Sequence, residues 1–278
     1  MPPGTTLPQV SPGLFHQLES FYDAVPRLDA RAESHGALTL FIRDGGGFPY
    51  YARPSVGGRT ATAADVRLVR ERQRELGVAE AFEWVHEATP GLLEVMEDAG
   101  FAVLRAPLMV LDGPLVVPEV DAAVRVLDPD ADDFLADVAT VQAVARLSFS
   151  TPGTGISDTG PKDRDTLLPT VTPVYVPKFR YALAEDPTDG AVAAGMTQRA
   201  GDVAEVVGVG TLPSARRRGL GAAITAVLAR DALDRGVERV FLSAGSEEIA
   251  RVYERVGFRR IGTACIAEAD AGTDSGAA

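Results

Sequence analysis

Cysteine, lysine and histidine are nearly missing from this 278-residue chain. Cys265 stands alone, so no internal disulfide framework can form, which fits a reducing cytoplasm. Lysine occurs only at Lys162 and Lys178; arginine carries the rest of the positive charge, a usage that fits a high-GC bacterial genome. The three histidines, His16, His35 and His86, are too scattered for a metal set or a triad, so no metal site is expected. No apolar run reaches transmembrane length, and no basic segment leading into an apolar one marks a signal peptide. Basic residues are outnumbered 27 to 39, for a net charge of −12. An acidic chain is a poor non-specific binder of nucleic acid, and an anionic ligand would need a local basic island.

What is present reads as globular: 46% hydrophobic residues against 24% charged, in a length sufficient for two ordinary domains. Residues 1–12 and 269–278 are rich in small and turn-forming residues and are expected to be disordered tails. Ser11–His35 reads as one or two helices broken at Pro26, and Ala37–Arg43 as a strand followed by a turn at Asp44–Gly47. Phe48–Pro54 reads as an edge strand, Ala63–Leu76 as an amphipathic helix stopped by Gly77, and Ala81–Val85 as a strand. Thr89-Pro90 has the signature of an N-cap followed by Pro at N1, opening a helix over Gly91–Ala99. A strand follows over Ala102–Asp112. Further on, Ala122–Leu127 is a strand, Asp128–Val144 contains a helix, and Leu147–Thr166 is polar and turn-rich. Phe179–Ala184 and Ala191–Met196 form a hairpin across Asp186–Gly190.

The rest is organised around Glu205-Val-Val-Gly-Val-Gly-Thr-Leu-Pro-Ser-Ala-Arg-Arg-Arg-Gly-Leu-Gly-Ala222. It opens as a β-branched buried strand, ends at Pro213 and Ser214, and passes through Arg216, Arg217, Arg218, Gly219, Leu220 and Gly221 into a helix from Ala222. A helix N-terminus has free N–H groups and a partial positive charge, and glycines let an anion come close, so this loop calls for a phosphate-bearing ligand. It is neither the dinucleotide G-x-G-x-x-G fingerprint nor a P-loop ending in Gly-Lys-Ser/Thr.

The spacing R-x-x-G-x-G resembles the pyrophosphate loop of the GNAT acyltransferases. A second match follows downstream: Ser246-x-x-Ile249-x-x-x-Tyr253-x-x-x-Gly257-Phe258 is similar to that family's N-x-x-A-x-x-x-Y-x-x-x-G-F, with Ser for Asn and Ile for Ala. The resemblance implies an N-acetyltransferase using acetyl-CoA on an amine of a small molecule or peptide. It implies that backbone N–H groups of Val209, Gly210 and Thr211 hold the thioester. Arg216, Arg217, Arg218, Gly219, Leu220, Gly221, Ala222 and Ser246 would line the cofactor, and Tyr253 would be the acid for the departing thiolate. Glu205, at the start of the central strand, stands where some members place a general base. The bland alternatives are a solvated arginine run, a core tyrosine and a strand-end carboxylate; a non-catalytic acyl-CoA-binding or sensing module would need neither Glu205 nor Tyr253.

The two halves also resemble each other. Leu76-Gly77-Val78 leads to Gly100-Phe101 as Arg235-Gly236-Val237 leads to Gly257-Phe258, and Thr89 and Ser246 precede their Gly-Phe pairs by the same distance. In the first copy Met96 takes the place of Tyr253, and Gly57-Gly58-Arg59-Thr60 takes the place of the R-x-x-G-x-G loop. The expectation is an α/β (α+β) fold of tandem GNAT-like halves, each a mixed, mostly antiparallel sheet flanked by helices. Residues 13–116 form the half without a cofactor loop and 117–268 the acetyltransferase half. The first half would then serve to build a homodimer or to shape the acceptor pocket.

Overall fold

The computed structural model describes residues 11–43, 50–151 and 153–269. The turn read at Asp44–Gly47, the start of the strand at Phe48, and most of both tails lie outside these residues. The chain divides into two compact units, Met1–Leu108 with Ile261–Ala278, and Met109–Arg260.

The first unit begins with α1 (Pro12–Ala24), whose N-cap Ser11 accepts from the Gly13 N–H. Pro26 stops it, as expected, and a single 3₁₀ turn follows over Pro26–Leu28. The next segment corrects the sequence reading: Arg31–His35 is not helix but strand β1, antiparallel to β2 (Leu38–Ile42). Its polar sequence hid it, because the strand is largely exposed while β2 is wholly buried. β3 is only Arg53–Pro54. Then come α2 (Ala63–Leu76), β4 (Ala81–Val85), α3 (Leu92–Asp98) and β5 (Ala102–Leu111). Thr89 does not cap α3: the N-cap is Gly91, with no side-chain bond, and the Thr89 N–H is used in a turn onto Val85 and His86 carbonyls. Leu38, Leu40, Val66, Val69, Phe82, Trp84, Leu92 and Met96 form one apolar core. Each such burial contributes about 1.5–3 kcal/mol relative to exposure. Met96, at the place Tyr253 takes in the other copy, is fully buried in this core.

The second unit contains β6 (Ala123–Val126), α4 (Phe134–Ser150), α5 (Pro161–Leu167), β7 (Arg180–Asp186), β8 (Gly190–Ala200) and β9 (Val203–Thr211). After β9 come α6 (Leu220–Asp234), β10 (Arg239–Ser243), α7 (Glu247–Val256) and β11 (Phe258–Glu268). The strand order is β10-β9-β8-β7-β6, antiparallel throughout except for the parallel β9–β10 pair. The polar stretch read as loop from Leu147 is partly helical: α4 runs on to Ser150 and α5 occupies Pro161–Leu167. β11 leaves this unit at Arg260, and its residues 264–268 pair antiparallel with β4 in the first. The compact units therefore differ from the halves read along the sequence, which gave all of 117–268 to the second. The fold is a mixed α/β arrangement of mostly antiparallel strands flanked by helices, with Cys265 inside the first unit's core.

Candidate functional site

The site is built on β9 and on what its neighbours fail to do. β10 pairs with β9 only through Val203, Ala204 and Glu205; beyond Glu205 the register ends, so Val206–Thr211 is held by β8 on one side alone. The β8–β9 register also shifts between Ala194 and Met196, where β9 carries an extra residue. Gly208 sits at that bulge with φ +63°, a left-handed conformation that costs a side-chain-bearing residue about 1 kcal/mol or more. The result is a splayed strand end at Val209, Gly210 and Thr211, with one edge open to accept a ligand's polar atoms.

A 3₁₀ turn over Pro213–Ala215 then carries the chain to Arg216, Arg217, Arg218 and Gly219. Gly219 is the N-cap of α6 at φ +79°, and Arg217 is also left-handed at φ +66°. α6 has no side-chain cap and no acidic residue in its first turn. Its leading N–H groups at Leu220, Gly221 and Ala222 therefore lack an internal anion. A Cβ on Gly221 would touch Val209 Cγ1 and Thr211 Oγ1, both at 3.8 Å, so the helix start lies against the splayed strand end. α6 itself is Ala-rich, with Ala222, Ala223, Ala226 and Ala229 buried, the small residues a helix needs to lie close on a sheet.

The three arginines do different things. The Arg216 guanidinium donates to the carbonyls of Gly155 (2.9 Å), Ser148 (2.9 Å) and Thr151 (2.7 Å), and Nε reaches Thr211 O at 3.4 Å. It clamps the end of α4 to the end of β9. Arg218 is paired with Asp186 at 2.7 Å and Asp121 at 2.9 Å, and this pairing, with turn N–H groups of Thr188 and Asp189, holds the Asp186 carboxyl down at about 2. Arg217 is exposed and, among the described residues, has no ion-pair partner. In the sequence the run reads as one basic island; two of its members are committed to the loop's own architecture through partners 32 to 97 residues away, which spacing cannot reveal.

Tyr253, on α7, is 8% exposed, and its hydroxyl bonds the Thr225 side chain. Thr225 in turn donates to Gly221 O at 2.8 Å, so Tyr253 is linked through one side chain to the first turn of α6. Burial pushes its hydroxyl up to about 12. Glu205 is not at a solvated strand end: it is 4% exposed, third in β9, flanked by Gln198 of β8 and Phe241 of β10 at the last β9–β10 pair, where the splay begins. Ser246 caps α7, accepting from the Ile249 N–H at 3.2 Å, and Gly257 closes that helix in a left-handed conformation.

Residues 176–258 match the model of the acetyltransferase (GNAT) family. That segment is a GNAT domain. It contains the splayed strand, the loop, Tyr253 and Ser246. No curated protein matches the chain. Among solved structures, a GCN5-related N-acetyltransferase from Kribbella flavida is 24% identical, covering 93% of this chain and 96% of its own, with a TM-score of 0.70. A putative GNAT-family acetyltransferase from Novosphingobium aromaticivorans is 19% identical over 85% of this chain and 89% of its own, TM-score 0.52. A GCN5-related N-acetyltransferase-like protein from Streptococcus suis is 13% identical over 92% and 99%, TM-score 0.54. At these identities the likeness establishes a GNAT fold. No helix among the described residues is long and apolar enough to cross a membrane.

Proposed function

We propose that this GNAT domain transfers the acetyl group of acetyl-CoA to an amine of a small molecule or peptide. The observation that carries this reading is the meeting of an uncapped helix start at Gly219–Ala222 with a strand whose partner departs after Glu205. The residues fit the cofactor: bare N–H groups and the exposed Arg217 suit a pyrophosphate, and no side chain fills the space at Gly219 beyond a 3.4 Å approach to Val120. Leu220, Gly221 and Ala222 would bind it through backbone N–H groups, Ser246 would face it from the α7 start, and Arg216 and Arg218 would hold the loop in shape. When bound, acetyl-CoA supplies an activated thioester carbonyl.

This chain's residues then perform three tasks. Backbone N–H groups along Val209–Thr211 orient the carbonyl and stabilise negative charge on its oxygen. Glu205 takes the proton that the acceptor amine sheds as the N–C bond forms, and Tyr253 donates to the sulfur as the C–S bond breaks. The rise of Tyr253 to about 12 keeps its hydroxyl protonated throughout the neutral range. Loss of rate through tyrosinate formation is accordingly expected near pH 12, above the ordinary value of about 10.

Tyr253→Phe keeps the ring and removes the hydroxyl; turnover should fall roughly a hundredfold with acetyl-CoA affinity unchanged. Glu205→Gln should abolish the acidic limb of the pH–rate profile. The burial of both side chains favours a second reading, an acyl-CoA-binding module. Release of free thiol from acetyl-CoA across a panel of amines separates the two: no release from a folded, cofactor-binding wild type would establish the binder.

A further inference from the structure

The first unit contains a 220 Å³ cavity whose lining includes none of the residues assigned to acetyl transfer. It is lined by His16 and Glu19 of α1, by residues 54–60, and by residues 88–91. The second of these segments includes the Gly57-Gly58-Arg59-Thr60 stretch that stands in for the phosphate loop.

Among the groups lining this cavity, Glu19 is the one out of balance. It is 6% exposed; one carboxyl oxygen, Oε2, accepts the Val85 N–H at 2.8 Å, while Oε1 has no hydrogen-bond partner. Arg53 is the neighbouring cation, but it is bonded to the equally buried Glu83 and stacked at 4.0 Å over the Tyr22 ring. Two buried carboxyls thus share one guanidinium, and Asp23 on α1 adds further negative potential. Burial, with Glu83 and Asp23, outweighs Arg53 and pushes the Glu19 carboxyl up to about 7. A buried carboxylate with a free oxygen is costly unless a cation or donor meets it.

The positive groups in the lining are already matched. Arg59 places its two terminal guanidinium nitrogens on Asp65, each at 2.7 Å, and His16 Nδ1 lies 3.0 Å from Pro12 O. An anion therefore finds no unpaired charge here, whereas a cation does. The remaining lining sets the hydroxyls of Ser55, Thr60 and Thr89 and glycine backbone among the apolar Pro54, Val56, Ala88 and Pro90, and the volume lies below the roughly 300–1,000 Å³ of pockets for drug-sized ligands.

We propose that the first unit binds a small hydroxylated organic ammonium compound, with the Glu19 carboxyl receiving its charged nitrogen. Its lining contains no residue of the loop proposed to hold acetyl-CoA.

Ethanolamine serves as the probe and ethylene glycol as its neutral counterpart, with backbone amide shifts of the full-length labelled chain as the readout. Ethanolamine should shift amides within 55–60 and 88–91, and ethylene glycol should not. Affinity should rise as pH passes upward through about 7, because Glu19 ionises there while the amine stays charged. Glu19→Gln should weaken binding about tenfold or more, the scale of a lost charge-assisted hydrogen bond. Gly91→Leu provides a second route: Gly91 has ordinary helical dihedrals, and an added Cβ would point to Thr60 Cγ2 at 3.4 Å, inside the lining. It should block binding even if Glu19→Gln fails to fold. Absence of shifts in the wild type, an unchanged affinity in a folded Glu19→Gln, or acetate shifting the same amides in place of ethanolamine would overturn the proposal.

Discussion

The loops before α2 and α6, which the order of elements along the sequence sets in parallel, are finished in opposite ways. Before α2, Thr62 is an N-cap in a full capping box: Asp65 accepts from the Thr62 N–H and hydroxyl, both at 2.8 Å, and from both arms of Arg59. The chain's own carboxylate neutralises that helix start. Before α6 there is no capping side chain, no acidic residue in the first turn, and a left-handed glycine in place of the cap. A helix N-terminus that supplies its own anion is closed to another; one that withholds it is free to take an anion from a ligand. The difference rests on few residues, and it underlies the proposal of a single cofactor site, at α6.

The severest way to break this contrast is to give α6 the charge that α2 already has. Gly219→Asp puts a carboxylate at the cap, in a conformation Asp tolerates better than most residues. Acetyl-CoA affinity should fall by about a hundredfold or more, the cost of like charges in contact, with circular dichroism unchanged. Next in size is Arg216→Ala. Removing a guanidinium from the carbonyls of Ser148, Thr151 and Gly155 should cost about 2–3 kcal/mol of stability, read from denaturant midpoints.

Asp65→Asn tests the other side of the comparison. It should destabilise the chain by about 1–2 kcal/mol while leaving acetyl-CoA affinity alone. Arg59, followed by the Thr62 contacts, holds the Asp65 carboxyl below the usual carboxylate range. Its contribution is therefore complete above the unfolded value of about 4 and fades as pH falls through the lower folded value. The variant should lose that part of the wild type's acid sensitivity, measured as stability against pH below 4. Smallest is Arg217→Gly, which keeps the left-handed backbone and deletes the unpaired charge. Cofactor affinity should weaken about two- to fivefold, and less so at high salt.

Much of this contrast could be read from residue order. Gly219 and Gly221 with arginines before them, a β-branched run before those, and Tyr253 four residues ahead of Gly257 are local patterns, and local patterns survive folding. What escaped depends on partners distant in sequence. β1 carries polar residues because it is an exposed edge strand, so no alternation marks it. Arg216 and Arg218 look alike in a row, but Ser148 and Asp186 decide their roles. Glu205 could be read as a general base or as a solvated strand-end carboxylate, and only with β10 laid beside it is it seen to be buried. Thr89-Pro90 has the letters of a helix cap, yet a turn onto Val85 and His86 uses its N–H and delays the helix by two residues. Glu19 gave no signal, because its burial and its sharing of Arg53 with Glu83 arise only in the fold.

The contrast between the two loops requires that one binds CoA and the other does not. Calorimetric titration of the full-length chain with CoA tests it most directly, repeated on Gly219→Asp. The expected result is one CoA per chain in the wild type and none in the variant. Two per chain, or one retained by the folded variant, would show that the capped loop before α2 binds a pyrophosphate despite its own carboxylate, and would contradict the comparison.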